Sequence, residues 1–453
     1  MPSRLAQPLQ TLLRLLQLTA NLLLSTARFG LRVPFARLQG KKMPWRASLG
    51  LSMAEFCVRS GATFIKVGQL LSTRQDLLPP EMLPPLLELQ DRVAPFSFRE
   101  VPKILRSQFG RSPRSIFAAF NSNVLASASI ANVYKARLHD GRVVAVKIRR
   151  PGIARQVHDD LRIMEFVAGL MSRLPAFRLV PVVEVIGEFS QAIVQQLDFR
   201  REAANNKRFQ ESFAHNPGVR IPRLVEELCT DEVLTMEYVP NLGRLNLTGS
   251  SQGSYKEALI TGLRALYQMI FVDGFIHCDL HTGNLYLRDD GTVVILDTGF
   301  VATLPSQDRH DFVDFFYAIA GNDGIGCARI MYETASYKSP RFDKAEFDKT
   351  VIALIEKTSG AKAGAFEVSA FVVQLFDMQR RFGLRGTSNF TMVILSLLVF
   401  EGLAKLVYPE LDFQGEAIPF LTPILFQHKL TGSQSLQPNP LQRYEVAGVL
   451  QQL

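Results

Sequence analysis

The stretch His277-Cys278-Asp279-Leu280-His281-Thr282-Gly283-Asn284, followed by Asp297-Thr298-Gly299, carries the chemistry of this chain. Between the two segments, apolar residues at 285–287 and 293–296 flank Asp290-Gly291, and Asp-Gly between apolar runs predicts a β-hairpin. Because a hairpin folds the chain back, Asn284 and Asp297 should become neighbours, with Asp279 one loop earlier. Two carboxylates and an amide so placed could hold Mg²⁺ and a nucleotide phosphate beside a catalytic carboxylate.

A lysine upstream is the first expected partner of that segment. Lys147 ends the apolar run Val144-Ala145-Val146, and a lysine at the end of such a strand can reach the α- and β-phosphates of a nucleotide. It then needs a carboxylate to hold it, and Glu202, on a long predicted helix, is the natural candidate. A lone strand lysine is more often an exposed edge residue, but the Asp279 segment favours the phosphate role.

Two further stretches are candidate nucleotide contacts. The loop Ala126-Ser127-Ala128-Ser129 precedes the lysine strand, where a kinase has a glycine-rich loop whose amides approach the phosphates. Small residues without glycine predict a stiffer loop that holds the nucleotide differently. In Met236-Glu237-Tyr238-Val239, backbone groups of Glu237 and Val239 could pair with an adenine edge, with Met236 lining the pocket. Most such strands are simply core.

Composition and charge narrow the function classes. A chain of 453 residues can bury a large core and hold two or more subdomains. No apolar run reaches the roughly 18 residues of a membrane span, and Phe390–Phe400 predicts a buried helix. The four cysteines lack disulfide or zinc spacing, which indicates a reducing compartment. Nearly all of the net charge of +9 lies before Glu55, the first acidic residue, so a nucleic-acid partner is not expected.

That basic segment is also rich in leucine, with eight leucines between Leu12 and Leu24. Leucines on a helix, with arginines following, predict an interfacial amphipathic helix that is drawn to an anionic lipid membrane surface. The protein would then be cytoplasmic and peripherally membrane-associated. Two alternatives are a helix packed on the body of the protein and an organelle transit peptide, since the segment contains arginine and no acid.

The patterns along the chain predict an α+β architecture with two lobes. The predicted parts are a basic leucine-rich segment (1–50), a helical extension (51–120), a β-rich N-lobe (121–240), a helical C-lobe (241–430) and a flexible tail (431–453). Strands are expected from about 124, at 129–138 and 143–148, and again at 223–228 and 233–238. Helices are expected from Pro79 to Leu89, at 101–109, 153–173 and 182–209, and from about 307.

Several motifs together resemble the UbiB/ADCK family of atypical, protein-kinase-like kinases, of the AarF type. They are Lys66-x-Gly68-Gln69, Ser72-x-Arg74-x-Asp76-Leu77-Leu78-Pro79, Leu89-Gln90-Asp91, the alanine-rich loop, Val144-Ala145-Val146-Lys147, Leu197-Asp198-Phe199-Arg200-x-Glu202-Ala203-Ala204-Asn205 and the His277–Asn284 block. The resemblance covers roughly residues 50 to 415. The Lys66 block is specific to the family, whereas the His277 block also resembles aminoglycoside and choline phosphotransferases.

The resemblance implies a two-lobe protein-kinase-like fold with an added N-terminal helical extension, which lays the Lys-x-Gly-Gln motif over the protein-substrate space. It implies ATP or ADP and Mg²⁺ as cofactors, ATPase activity, and support of ubiquinone or other prenyl-lipid biosynthesis at a membrane. Prenylated quinone intermediates and biosynthetic enzymes would be partners.

The same resemblance implies a role for each matching residue. Lys147 would contact phosphates and pair with Glu202, and Asp279 would be the catalytic-loop carboxylate. Asn284 and Asp297 would hold Mg²⁺. The gate of the site would consist of four residues, Lys66, Gln69, Gln196 and Asp198.

The chain departs from the family pattern around these residues. Gln196 replaces a glutamate that would meet the Lys66 motif, Ala131-Asn132 replaces Gly-Gln, and Thr298 replaces the phenylalanine of Asp-Phe-Gly. Leu280 and Thr282 stand where the catalytic block commonly has prolines.

The segment after Gly299 bears on the phosphoryl acceptor. A helix is predicted from about Gln307, without an Ala-Pro-Glu signature or a long activation loop on which a peptide could dock. Water is therefore the expected acceptor, and slow Mg²⁺-dependent ATP hydrolysis the expected activity. The alternatives are a nucleotide-binding pseudokinase scaffold and a phosphotransferase acting on a protein or a small molecule.

Overall fold

A computed structural model describes residues 6–38, 44–73, 78–87, 89, 94–173, 182–242, 252–281, 283–288, 290–359 and 368–431. Several expectations lie outside these residues: the motif positions Arg74, Asp76, Leu77, Gln90, Asp91 and Thr282, and the tail beyond Thr431. The chain divides into two compact units. The first comprises Met1–Ala204 and Arg223–Tyr238, and the second comprises Asn205–Pro222 and Val239–Leu453.

The described helices are, in chain order, α1 (Ala6–Leu38), α2 (Trp45–Ser60), α3 (Ala62–Thr73), α4 (Leu83–Leu87), α5 (Val101–Phe109), α6 (Pro113–Ile116), α7 (Ile153–Met171), α8 (Val182–Gln196), α9 (Phe199–Ser212), α10 (Gln252–Tyr267), α11 (Ser306–Ala320), α12 (Gly324–Glu333), α13 (Lys344–Ser359), α14 (Val368–Phe382), α15 (Ser388–Val407) and α16 (Phe413–Thr431). The described strands are β1 (Phe117–Ser127), β2 (Ala131–Leu138), β3 (Val143–Arg149), β4 (Val219–Arg220), β5 (Val233–Glu237), β6 (Phe275–His277), β7 (Leu285–Leu287), β8 (Val293–Ile295), β9 (Val301–Thr303), β10 (Tyr337–Lys338) and β11 (Leu384–Arg385).

The first unit contains an antiparallel sheet of four strands in the order β1-β2-β3-β5. Its inward residues, among them Tyr134, Val146 and Ile148, are fully buried and pack with α5 into one core. On β3, Lys147 lies opposite Val133 of β2 and Leu234 of β5. The β-rich part and the hairpin around Asp140-Gly141 are therefore as predicted.

Three predicted elements of the first unit differ from the structure. The sheet begins at Phe117 rather than near 124, because α6 is a single turn and the buried Phe117 already belongs to β1. Residues 223–228 are not a strand: Leu224 alone bridges to Met236, and Glu226–Leu228 form a 3₁₀ turn. The helix expected from Pro79 to Leu89 is a 3₁₀ turn followed by the short α4.

The helix predicted over 182–209 is also wrong, since it is split into α8 and α9. The break has a physical cause at Leu197-Asp198. Arg149 donates to the Leu197 carbonyl at 2.6 Å, and the Asp198 carboxylate accepts from the Arg200 backbone N–H at 3.0 Å. A side-chain oxygen that satisfies a first-turn N–H favours a new helix start.

Helix α1 packs on α2. The basic leucine-rich segment thus contains a helix packed on the body of the protein, which was one of the alternatives considered for it. Three of its arginines form ion pairs within the first unit. Arg14 pairs with Asp160 at 2.7 Å, while Arg28 and Arg32 pair with Glu55.

The second unit is mainly helical and is built around an aromatic-rich core. Phe312 and Phe390 meet edge to face with ring centroids 4.8 Å apart, and Phe400 is fully buried. The buried helix expected around 390–400 is α15, which starts after Thr387 caps the Phe390 N–H at 3.3 Å. The unit also holds short sheets, β4-β8-β7, β6-β9 and β10-β11, of which only β7 and β8 were predicted.

No helix of the described ranges combines the length and apolarity that crossing a bilayer requires. The four cysteines are free thiols.

Candidate active site

In the first unit, Lys147 and Glu202 form a buried ion pair. The Lys147 ammonium lies 2.8 and 2.9 Å from the two carboxylate oxygens of Glu202, and both residues are at most 6% exposed. The ammonium also lies 5.2 Å from the centre of the Phe199 ring. The predicted contact between the Lys147 ammonium and the Glu202 carboxylate is therefore present. Since taking two charges out of water costs several kcal/mol per ion, such a pair requires close mutual contact.

The alanine-rich loop is held from behind by Arg150. The guanidinium donates to the Ala128 carbonyl at 3.1 and 3.2 Å and to the Ser127 hydroxyl at 2.9 Å. Burial lowers the pKa of Arg150 below its ordinary value. These bonds hold the backbone at Ser127 and Ala128, and the stiffness expected from a loop without glycine stays a prediction.

Asn132 secures the other end of this loop. It is fully buried, accepts from the Ser127 hydroxyl at 3.1 Å and donates to the Tyr134 hydroxyl at 3.0 Å. Ser129 is buried and its hydroxyl has no hydrogen-bond partner among the described residues. The Ser127 hydroxyl therefore makes structural contacts, and the nucleotide role of Ala126, Ser127, Ala128 and Ser129 stays a prediction.

The predicted adenine contacts lie at the end of β5. Met236 is buried and lies opposite Ala145. The Glu237 N–H is donated to the Arg223 carbonyl at 2.7 Å, so pairing with an adenine edge would fall to the Glu237 carbonyl. Val239 belongs to the second unit and is buried there.

The Lys66 motif lies in the middle of α3, which packs against α2, α4, α7 and α8. Gln69 donates to the Leu89 carbonyl at 2.6 Å. A Cβ added at Gly68 would lie 2.3 Å from a Leu89 methyl carbon and 3.0 Å from the Cys57 sulfur, so glycine permits this close packing. Gln196 is half-buried at the end of α8. The gating role stays a prediction.

In the second unit, the hairpin of β7 and β8 has the predicted register, with Leu285 opposite Ile295. The Leu296 N–H donates to the Asn284 carbonyl at 3.0 Å, which brings the two ends of the hairpin together. Asn284 in turn donates through its amide to the Asp279 carbonyl at 2.9 Å and lies 3.4 Å from the Asp279 carboxylate. Asn284 and Asp279 are thus brought into contact as expected.

His277 connects Asp279 with Asp297. Its ring is fully buried, Nδ1 accepts from the Asp279 N–H at 3.1 Å, and Nε2 therefore carries the proton that it donates to the Asp297 carbonyl. Burial lowers the pKa of His277 below 6.5, so the ring is neutral at neutral pH. The ring fixes the backbone beside both acidic residues without carrying charge.

The oxygen donors here suit Mg²⁺. The Asn284 amide nitrogen is turned to Asp279, which leaves its oxygen for a cation, and the Asp297 carboxylate accepts the Gly299 N–H at 2.9 Å through one oxygen. Both residues are half-buried. No group of three or more His, Cys, Asp or Glu side chains placed for a metal occurs in the described part of the chain. Mg²⁺ is commonly bound by one or two carboxylates together with substrate phosphates, so these residues fit.

Sequence reasoning had assigned no role to His277, Arg150 or Asn205. Asn205 donates to the Thr298 carbonyl at 2.9 Å and so supports the segment after Asp297. Closeness to a site residue could have pointed to two of them, since His277 lies two residues before Asp279 and Arg150 lies three residues after Lys147. Their partners are backbone groups, and a single sequence does not reveal which backbone group a side chain reaches.

Fold and site together define a kinase-like protein, and comparison with known families agrees. Residues 88–331 match the ABC1 atypical kinase-like domain, which is more than half of the chain, and residues 351–412 match the UbiB helical domain. The chain belongs to this family of UbiB-type atypical kinases. Its fold is accordingly the protein-kinase-like α+β fold with an N-terminal helical extension.

Curated relatives include proteins named "Probable protein kinase UbiB". The one from Aeromonas hydrophila is 30% identical over 378 residues, covering 81% of this chain and 68% of the relative. The one from Marinobacter nauticus is 31% identical over 369 residues, covering 80% and 67%. That from Pseudomonas putida is 29% identical over 398 residues, covering 84% and 73%.

A solved structure also resembles this chain. It is titled as the complex of Rv3197 with erythromycin from Mycobacterium tuberculosis, and it covers 78% of this chain and 90% of its own, with a TM-score of 0.55 and 23% identity. At this identity the similarity supports the fold alone.

Proposed function

We propose that this chain binds MgATP and hydrolyses it slowly, as a UbiB-type atypical kinase with water as the default phosphoryl acceptor. The observation that carries the proposal is the buried Lys147–Glu202 pair. Replacing a buried ion pair by packed apolar residues is often neutral or stabilising, so stability gives little reason to keep one. A lysine held by a buried carboxylate is, however, what positioning a phosphate-binding ammonium requires.

In this proposal the residues of the second unit act on the nucleophile and the metal. Asp279 orients the attacking hydroxyl group of water, and Asn284 keeps the Asp279 backbone in place through the 2.9 Å bond to its carbonyl. Asn284 and Asp297 would hold Mg²⁺, which when bound neutralises phosphate charge. Neutral His277 maintains the spacing of Asp279 and Asp297 without adding a positive charge that would compete with the cation.

The alanine-rich loop contributes a fixed phosphate-facing backbone. Because Arg150 and Asn132 already hold the loop at 2.9–3.2 Å, its conformation changes little when a nucleotide binds. In the proposed site the loop is therefore a rigid support for the phosphates.

The biological context follows from family membership. We assign to this chain the support of ubiquinone or other prenyl-lipid biosynthesis at a membrane surface, with prenylated quinone intermediates and biosynthetic enzymes as partners. The relatives are named as probable protein kinases, and a protein or small-molecule acceptor would replace water if one binds.

Phosphate release from ATP by the purified chain, with and without Mg²⁺, tests the enzymatic proposal. Lys147→Met and Asp297→Asn should each lower the rate by at least about a hundredfold, because each removes a charge that stabilises the transferring phosphoryl group. Lys135→Met is the matched control: Lys135 lies on β2 of the same sheet, with its ammonium 4.3 Å from the centre of the Tyr238 ring, and its loss should leave the rate unchanged.

Two outcomes would redirect the proposal. A thermal shift with MgATP but no phosphate release would favour the pseudokinase scaffold, for which Gln196 in place of a family glutamate is the supporting observation. Hydrolysis at the wild-type rate in both Lys147→Met and Asp297→Asn would contradict the proposed site.

A further inference from the structure

The polar side of helix α1 packs against the rest of the first unit. Leu18 and Ser25 are buried, Arg14 donates to the Ser60 carbonyl at 2.6 Å, and Arg32 donates to the Ser52 hydroxyl at 2.9 Å. An amphipathic helix of a globular protein ordinarily turns its apolar stripe to the core and its polar side to water. In α1 the arrangement is reversed.

The outward side of α1 is formed by leucines. Eight of them are between 43% and 71% exposed, among them Leu12, Leu13, Leu16, Leu22, Leu23 and Leu31. At about 100° per residue, the exposed leucines span roughly 200° of the helix circumference. Between Leu12 and Leu31, the other residues within this arc, such as Ala20 and Thr26, are small and uncharged. Over this length the leucine face is therefore a broad apolar surface without a charged residue.

A buried carboxylate sets the rotation of the helix. Asp160 of α7 is fully buried and accepts two bonds from the Arg14 guanidinium, at 2.7 and 2.9 Å, and one from the Thr63 hydroxyl of α3, at 2.6 Å. A bidentate arginine–carboxylate pair is strong and directional. Rotating α1 would leave Asp160 buried without its cation, so the leucine face is held outward.

We propose that α1 lies in the plane of a lipid membrane, with its leucine face inserted among the acyl chains, and that apolar contact rather than arginine charge holds the chain there. The proposal refines the membrane part of the proposed function and rests on it. It differs from the expectation of electrostatic attraction, because Arg14, Arg28 and Arg32 are paired with Asp160 or Glu55.

The width of the leucine face favours lipid over a second copy of the chain. A partner helix covers a narrow seam, two positions in each heptad, and flanking charges usually border it. A seam of that width would leave about half of the leucine face in water. Acyl chains can cover the whole arc, as they do for helices that lie in the membrane interface.

The test is flotation of the full chain with vesicles of neutral phosphatidylcholine and with vesicles that also contain anionic phosphatidylglycerol. We expect binding to both, changed less than about threefold in roughly 1 M salt, where the Debye length is about 3 Å. The double variant Leu16→Gln, Leu23→Gln should bind at least tenfold more weakly. Ile325→Gln, at a residue of α12 that is 71% exposed, is the matched control and should bind like the wild type.

Three outcomes would overturn the inference. They are binding confined to anionic vesicles and lost in salt, unchanged binding of a double variant whose circular dichroism is native, and a wild-type dimer, seen by sedimentation, that dissociates in the double variant while vesicle binding is absent. ATP turnover in vesicle-free buffer tests the proposed ATPase activity separately. If the protein binds vesicles but does not turn over ATP, the ATPase proposal is overturned and the proposal that the leucine face binds lipid stands.

Discussion

The neutral state of His277 determines how the second unit responds to pH. Nδ1 accepts the Asp279 N–H, and a protonated ring would have no lone pair for this bond. Burial lowers the pKa of the folded ring below its ordinary 6.5. The unfolded chain therefore binds this proton more readily than the folded chain, and the free energy of unfolding falls as the pH decreases through about 6.5. At higher pH the contribution is fully present.

His277→Gln should remove this pH dependence. Urea unfolding followed at about pH 8 and about pH 5.5 should show a smaller loss of stability on acidification in the variant than in the wild type. The variant should also be less stable at pH 8, by about 1–3 kcal/mol, because buried backbone groups lose a partner. The exposed His139, replaced by Gln, serves as the control. An equal pH dependence in wild type and His277→Gln would show that another group is responsible.

The buried Lys147–Glu202 pair should also affect the free energy of unfolding. Lys147→Met leaves the Glu202 carboxylate buried without its cation, which should cost about 3–5 kcal/mol of unfolding free energy. Adding Glu202→Leu removes the buried charge, so the double variant should recover most of that loss while ATP turnover stays absent.

Chemical unfolding of the two single variants and the double variant measures this coupling. The expected sign is a double variant more stable than either single one. Additive losses would mean that the two side chains are solvated separately and that the pair is not the buried unit the distances indicate.

At the scale of elements, the packing of α2 against the Pro80–Met82 turn depends on Gly50. A Cβ at this position would lie 2.5 Å from the Met82 carbonyl oxygen and 2.7 Å from the Met82 Cα, both of which are backbone atoms. Unlike a flexible side chain, the backbone yields only if the turn itself moves. Gly50→Ala should therefore destabilise the first unit by about 1–3 kcal/mol, despite the better helix propensity of alanine.

Gly169 in α7 is the matched control, because it lies in a helix of the same unit and has no atom within 4 Å of an added Cβ. Gly169→Ala should stabilise by about 0.5–1 kcal/mol. Thermal unfolding of the two variants should give shifts of opposite sign, and a stabilising Gly50→Ala would refute the close contact.

Elements with a local signal could be predicted from the sequence. Asp140-Gly141 and Asp290-Gly291 each predict a β-hairpin, and both hairpins are present with the expected strand pairing. The break between α8 and α9 has no such signal, because it depends on Arg149 reaching the Leu197 carbonyl from 48 residues away. The strand β4 is likewise stabilised by a distant partner, β8, and two residues are too few to form a pattern.

The candidate site divides in the same way. Asp279, Asn284 and Asp297 lie at fixed offsets around a predicted hairpin, and Lys147 and Glu202 carry opposite charges on a predicted strand and a predicted helix. Their chemistry could therefore be proposed from the sequence. The supporting contacts of Arg150 and His277 are made to backbone atoms, whose positions are set by the fold. The orientation of α1 was least predictable: the pattern of leucines and arginines predicts an amphipathic helix, but only the buried Asp160 determines that the arginine side faces inward.

At the scale of the whole molecule, the basic N-terminal segment is part of the folded first unit rather than an appendage. Most of the net charge of +9 arises before Glu55, and within it Arg14, Arg28 and Arg32 neutralise Asp160 and Glu55. Removing residues 1–38 would expose the contact surface on α2 and leave Asp160 without Arg14. We expect the shortened chain to unfold at a lower temperature, with a loss of about 3–5 kcal/mol attributable to the uncompensated carboxylate.

Asp160→Asn separates this effect from the loss of packing. In the full chain the substitution leaves Arg14 without its carboxylate and should destabilise, whereas in the shortened chain it removes a buried unpaired charge and should stabilise, since the amide oxygen can still accept from Thr63. The sign of the Asp160→Asn effect, measured by thermal unfolding in both chains, should therefore reverse. The same sign in both would mean that Arg14 does not compensate Asp160, and the rotation of α1 would then need another cause.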